Sequence, residues 1–215
     1  AILGLKPKFI YKKIDSVCRG HVLDELLIEM QVANKRRAIV IPANPSLGRT
    51  IENGEYYIYG VPLNETDFAN DPDFPAQSAS LIDMLNAKGK EVSVTKHTDQ
   101  LPQKGVMIGE EISNEDVKAW AHKAQHDDVL AGAGDFFTAL LQRDCQLAEM
   151  SPPEIQSPYL YISGTTFHGS RDFIKEVKKN YQTVIYLPAD GENDDWLSIA
   201  NELLTKKKKL VLAFD

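Results

Sequence analysis

Little in this sequence invites metal or redox chemistry. Only two of its 215 residues are cysteine, Cys18 and Cys145, far apart and at no metal-ligand spacing. A disulfide framework is therefore excluded, and both thiols are expected to be reduced, structural groups of a cytoplasmic protein. Long apolar runs are missing as well. Charges break every hydrophobic stretch well short of the roughly 20 residues that a membrane helix needs, so no membrane partner is expected. The opening AILGLKPKFIYKK has few apolar residues before Lys6 and no cleavage site behind a long apolar core, which is not the pattern of a secretory signal. Positive charge is in deficit: 24 Lys and Arg stand against 31 Asp and Glu, a formal net charge of −7. That argues against a general nucleic-acid binder, whose affinity comes from neutralised phosphates, but it leaves room for a small anion in a local basic pocket. The chain contains no GKS or GKT of a Walker A loop, no GxSxG and no CxxC. His122 and His126 stand four apart but lack a glutamate beside the first, so they read as surface residues, and no metal site is expected.

What is present is the composition of an ordinary globular protein, 43% hydrophobic and 26% charged, with the length of one large or two small domains. Short β-rich runs lie at residues 9–14, 38–42, 56–59, 91–95, 106–109, 129–131, 159–163, 183–187 and 210–214. Between many of them run helical stripes: Val22, Leu23, Leu26, Leu27 and Met30; Leu81, Met84 and Leu85; Val117, Trp120, Ala121 and Ala124; Phe136, Phe137, Leu140 and Leu141; Phe173, Ile174 and Val177; and Trp196, Ile199, Leu203 and Leu204. Ser113-Asn114-Glu115-Asp116 and Asn193-Asp194-Asp195 offer helix starts. This alternation predicts an α/β fold, a mainly parallel sheet flanked by helices. Asn53-Gly54 ahead of Tyr56 predicts an antiparallel excursion. Three prolines in AEMSPPEIQSP predict a linker at residues 148–158 between a domain at 1–147 and a second, incomplete one at 159–215. Lys206 to Lys209 read as a solvated helix end rather than a nucleic-acid patch.

Four segments between strand ends and helix starts could carry chemistry. The first, Lys12 to His21, brings Lys13, Asp15, Ser16 and Arg19 to the edge where open α/β sheets bind ligands. Cations suit the carboxylate of a small hydroxy acid, and Asp15 or Ser16 its hydroxyls; the competing reading is plain helix capping by Asp15 or Ser16. The second, Ile41 to Thr50, is a proline-stiffened loop in which Arg49 either faces a ligand or lies on the surface. The third, Ala131 to Phe137, places Gly132 and Gly134 at a helix start, where they either admit an anion or make a tight turn. The fourth, Ser163 to Ser170, has hydroxyls and glycines suited to phosphate, with His168 as a tempting acid or base.

Taken in order, YKKIDSVCRGHVLDEL and RAIVIPANPSLGRTIENGEYYIYGVPLNETDFANDP resemble the sugar-acid-binding N-terminal domain of the four-carbon acid sugar kinase family. That family carries a KxDSTLRGN-like segment, a PAxPxxGRxxxxGxxYxxGxPLxETxFxxDP segment, a GSAGLA-like turn and an SGS-like turn. The resemblance covers residue 9 to about residue 139 well, and residues 159–177 more loosely. It implies phosphorylation of threonate, erythronate or a 3-oxo-tetronate by ATP with Mg²⁺. Lys13, Ile14, Asp15 and Ser16 would line the acid-sugar site, with Arg19 and Arg49 close by; Ser163, Gly164 and Thr165 would touch the nucleotide, with Gly132 and Gly134 on the phosphate side.

The chain departs from the family at Val17-Cys18, at His21, at Ala131 to Gly134 and at Thr165. A DDLTGA-like strand end and a late GGDT-like loop are absent, so the chain is expected to begin after the one and stop before the other. No catalytic base is assigned among its residues. The rival reading is a sugar-acid-binding module without kinase activity. A nucleotide-dependent oxidoreductase built on Gly132 and Gly134 is disfavoured, because Glu154, at the required distance, sits in the proline linker. Assembly into a homo-oligomer is left open.

Overall fold

β-branched and aliphatic runs bounded by turn residues make the strands of this protein, and amphipathic segments between them make the helices. The computed structural model describes residues 9–145, 154–164, 168–187 and 195–214. The chain divides into two compact units, Ala1–Ala148 and Glu149–Asp215. Of the linker at 148–158, the prolines Pro152 and Pro153 lie outside the described residues, as do Thr165 and the helix start at Asn193-Asp194.

In the first unit five strands form one sheet: β1 (Tyr11–Lys13), β2 (Arg37–Ile41), β6 (Val92–Thr95), β7 (Gly105–Gly109) and β8 (Asp128–Gly132). Their order is β1-β8-β2-β7-β6, and every pairing is parallel. The expected mainly parallel α/β architecture is therefore present. Period-two alternation sorts the central strand between two cores. Ala38 and Val40 of β2 pack on one face with Val22, Leu23, Leu26 and Met30 of α1 (Val22–Val32) and Leu81 of α2 (Leu81–Met84). Ile39 and Ile41 pack on the other with Val117 and Trp120 of α3 (Asn114–Lys123) and Phe136 and Leu140 of α4 (Gly134–Asp144). Strands covered on both faces need such continuous apolar runs.

The buried stripes are slightly narrower than the sequence spacing predicts. Leu27, Phe137, Phe173 and Ile199 are exposed, since a helix resting on a sheet buries a narrower arc than an i, i+4 count suggests. The start of α3 is as expected: Ser113 Oγ accepts the Asp116 N–H (3.2 Å) while Asp116 accepts the Ser113 N–H (2.9 Å), a closed capping box.

The antiparallel excursion is larger than the Asn53-Gly54 signal alone predicted. Strands β3 (Arg49–Glu52), β4 (Glu55–Ile58) and β5 (Val61–Pro62) form a separate three-stranded sheet. Asn53 and Gly54 both take positive φ, the backbone of a two-residue hairpin turn. Strand β3 was missed because Arg49 and Thr50 follow a proline-rich loop. That loop makes one 3₁₀ turn at Pro45–Leu47 and reverses at Gly48, where φ is +67° and a Cβ would be driven into the Tyr59 ring.

The second unit holds β9 (Tyr159–Ser163), α5 (His168–Tyr181), β10 (Val184–Leu187), α6 (Asp195–Lys207) and β11 (Lys209–Phe214). Its parallel sheet has the order β10-β11-β9. Leu210, Leu212 and Ala200 are its buried centre, and the edge strand β9 leaves Leu160 and Ile162 exposed. Lys206 and Lys207 end α6, as a cationic helix terminus should.

Candidate functional site at the carboxyl edge of the sheet

At the end of β1 the chain leaves the sheet through a backbone bond, Ile14 N–H to the Gly132 carbonyl (3.1 Å), and enters the Asp15–Arg19 turn. Asp15 does not cap α1; neither does Ser16. The helix starts behind His21 with no side-chain cap. Asp15 closes its own turn instead, its carboxylate accepting the N–H groups of Val17 (3.1 Å) and Arg19 (3.2 Å). Arg19 then grips the same carboxylate through Nε (3.1 Å) and Nη2 (2.9 Å), and reaches Asp71 through Nη1 (2.7 Å). Burial pushes the Asp15 carboxyl up, but the Arg19 guanidinium and the two backbone donors outweigh it and hold the group below the ordinary carboxylate range.

Arg19 is thus a clamp between two turns, with both of its ion-pair faces taken. This yields a pH prediction. The folded value of Asp15 lies below the unfolded one, so the pair stabilises the fold above about pH 4 and that contribution is lost as pH falls through the lower, folded value. In Arg19→Ala the Asp15 titration midpoint is expected to rise, because burial then acts with less opposition. Carboxyl ¹³C NMR measures it, and an unmoved midpoint would refute the assignment.

Arg49 is placed differently. It opens β3, its Nη1 donates to Ser16 Oγ, and its guanidinium carbon lies 5.7 Å from the centroid of the Phe68 ring, which Arg19 approaches at 5.5 Å. Among the described residues Arg49 has no carboxylate partner, and neither does Lys13, whose Nζ donates only to the Ile14 carbonyl. Lys13 and Arg49 are therefore the cations with charge to spare on this edge. A cleft of about 520 Å³ opens beside the turn, lined by Val17, Cys18, Arg19, Leu63, Phe68 and Pro75 among others. Cys18 is buried beside it, and burial pushes its thiol up.

Gly132 and Gly134 lie in this first unit, next to the acid-sugar segment. Gly132 pairs with Lys13 on one side and Ile41 on the other, and a Cβ there would be driven into the Ile41 carbonyl oxygen. The missing side chain lets the two backbones approach closely here. Gly132→Ala is expected to destabilise the first unit by about 1–3 kcal/mol, as overpacking does, and urea denaturation reads it. A loss below about 0.5 kcal/mol would mean that the strands part freely there. The start of α4 behind Gly134 is already engaged: Asn44 Oδ1 accepts the Asp135 N–H (3.0 Å), and Asp135 accepts from the Ser46 N–H (3.0 Å) and hydroxyl (2.7 Å).

In the second unit Ser163 ends β9 and Gly164 follows, exposed, ahead of α5, which starts at His168. Thr165 lies outside the described residues. Among those described, no group of three acidic, histidine or cysteine side chains could hold a metal, and no helix is long and apolar enough to cross a membrane. Three residues of the first unit escaped the sequence reading: Phe68, Asp71 and Glu111. Phe68 and Asp71 are within the NETDFANDP run but far from the turn they meet. Glu111 had one signal, an adjacent pair of glutamates at a strand end.

The chain is similar to several known proteins. Over 76 residues the chain is 38% identical to the D-threonate kinase of Salmonella typhimurium, a stretch that is 35% of this chain and 18% of that protein. Over 91 residues it is 34% identical to the D-erythronate kinase of Heliobacterium modesticaldum, 42% of this chain and 21% of that one. The matched stretches thus span about a fifth of those relatives. A Bordetella bronchiseptica crystal structure, described as a domain of unknown function with bound citrate in a domain-swapped dimer, shares the fold at TM-score 0.56 and 18% identity, covering 100% of this chain and 56% of its own. The family model of the sugar-binding N-terminal domain matches residues 3–140. With the sheet edge, the Asp15 turn and the Arg49 loop all inside that stretch, the chain belongs to the four-carbon acid sugar kinase family and carries its sugar-binding N-terminal domain.

Proposed function

We propose that the first unit binds a four-carbon sugar acid at the carboxyl edge of its sheet, and that the protein transfers a phosphoryl group from ATP to one of the acid's hydroxyls. The observation that carries this reading is the pair of cations without carboxylate partners among the described residues, Lys13 and Arg49, beside Ser16 and an ionised Asp15. Arg49 presents a planar fork that suits a carboxylate, Lys13 adds a point charge, and the Asp15 and Ser16 oxygens accept from the acid's hydroxyls. Asp15, held ionised by Arg19, orients the hydroxyl in this reading.

In the same reading Ser163, Gly164 and Thr165 meet the nucleotide. The exposed Gly164 at a strand-to-helix turn fits backbone approach to phosphates. ATP supplies the phosphoryl group, with Mg²⁺ carried on its phosphates to neutralise charge. Free cysteines support a cytoplasmic location. Self-assembly belongs to the same proposal, the dimer of the Bordetella structure being a property of that protein.

Coupled ADP release by the full-length protein on D-threonate, D-erythronate and 3-oxo-tetronates tests the activity. Turnover of one of these acids is the expected result. Binding of an acid without ADP release would favour the non-catalytic module, and neither binding nor turnover would overturn both readings.

A further inference from the structure

Immediately after β7 come Glu110 and Glu111, and both are woven into the hairpin sheet. Glu110 accepts the Gly54 N–H at the hairpin turn (3.0 Å), while its carbonyl accepts from Trp120 Nε1 (2.9 Å). Glu111 is 0% exposed. Its Oε1 accepts the Ala43 N–H (2.7 Å), and its carbonyl accepts the Ile51 N–H (2.9 Å) in an isolated antiparallel bridge. Ala43 and Ile51 bracket Arg49. Inside the bracket the loop closes on itself: the N–H groups of Leu47 (2.9 Å) and Arg49 (3.1 Å) both donate to the Asn44 carbonyl. A short stiff loop held at both ends by one residue has little freedom left in where it presents its arginine.

We propose that Glu111 is the positioning residue of Arg49: its side chain holds Ala43 while its main chain holds Ile51, and the side-chain hold sets where the guanidinium meets Ser16 and Phe68. A second observation sets Glu111 apart from an ordinary core residue. Among the described residues its Oε2 has no hydrogen-bond partner, so this carboxyl is buried at a desolvation cost that a methionine of similar volume would avoid. Burial, then the neighbouring Asp116, Glu110 and Asp135, push the group well above the ordinary carboxylate range, with only the Ala43 N–H opposing. Glutamine at this place carries no charge and still offers Ala43 an acceptor. The consequence for ligand binding rests on the reading of Arg49 as the carboxylate ligand; the placement of Arg49 does not.

Hydrogen exchange and calorimetry on the full chain separate the two. In Glu111→Ala and in the volume-matched Glu111→Met, amides of residues 43–51 are expected to exchange about tenfold faster, while those of 38–40 and 129–131 keep their rates; Glu111→Gln stays within about threefold of the parent. Should the alanine variant not fold, the methionine variant carries the comparison. The Kd for D-threonate or D-erythronate is expected to rise about tenfold in Glu111→Met, and not to rise further when that change is added to Arg49→Ala. Unchanged exchange at 43–51, exchange raised equally across the core, or additive losses in the double variant would each overturn the inference. If the parent binds neither acid, the functional reading fails and the exchange pattern alone decides the positioning role.

Discussion

Replacing Arg49 with alanine is expected to weaken binding of the four-carbon acid by roughly 30- to 150-fold, the factor for removing a charge-assisted hydrogen-bonded pair of about 2–3 kcal/mol. The loss should appear in Kd or KM, with kcat much less affected, because a carboxylate remote from the reacting hydroxyl is held equally in ground and transition states. Arg49→Lys is expected to recover only part of it, since an ammonium cannot reproduce the fork or its stacking on Phe68. Thermal stability should barely move, because the guanidinium has no ion pair among the described residues. Calorimetric titration with D-threonate and D-erythronate gives the answer. An affinity within threefold of the parent (about 0.65 kcal/mol) would remove Arg49 from the site.

The second large effect concerns the fold beneath that edge. Trp120→Ala is expected to destabilise the first unit by about 3–5 kcal/mol, the range for truncating a large buried aromatic side chain. Trp120 is fully buried between α3 and the sheet, in one cluster with Ile39, Ile41, Met107 and Phe136. Its indole N–H also satisfies the Glu110 carbonyl, so truncation opens a cavity and orphans an acceptor at the strand end that anchors the hairpin. Gly109, where a Cβ would be driven into this ring and Ile41, shows how closely the indole lies on β7. Urea unfolding monitored by far-UV circular dichroism measures the change. A loss under about 1.5 kcal/mol would mean that the site collapses around the cavity or that the cluster is looser than its burial implies.

Much of this architecture is legible in the residues themselves. The runs at 38–42, 106–109 and 129–131 read as strands because β-branched and aliphatic residues occur there without polar interruption, and such runs suit a sheet covered on both faces. The capping box of α3 was equally plain, since Ser113 and Asp116 make a local interaction that needs nothing from elsewhere. Strand β3 was hidden because its pairing with β4 depends on a turn that Gly48 and the prolines arrange. The outward faces of Leu27 and Phe137 were misread for a related reason: periodicity locates an apolar side but not how much of it a neighbour covers.

For the site, the sequence by itself determined which segments carry charge and hydroxyls, and the parallel sheet sends their strand ends to one edge. Local chemistry suffices for that, because strand, turn and helix preferences act over a few residues. Only the tertiary structure decided which cation is available. Arg19 and Arg49 look alike in a string of letters, yet Asp71, 52 residues beyond Arg19, takes up one guanidinium and leaves the other facing Ser16. Charge compensation acts through space between residues that the chain alone does not bring together, so Arg19 became a clamp, Arg49 the candidate ligand and Glu111 its support only once the sheet edge had assembled.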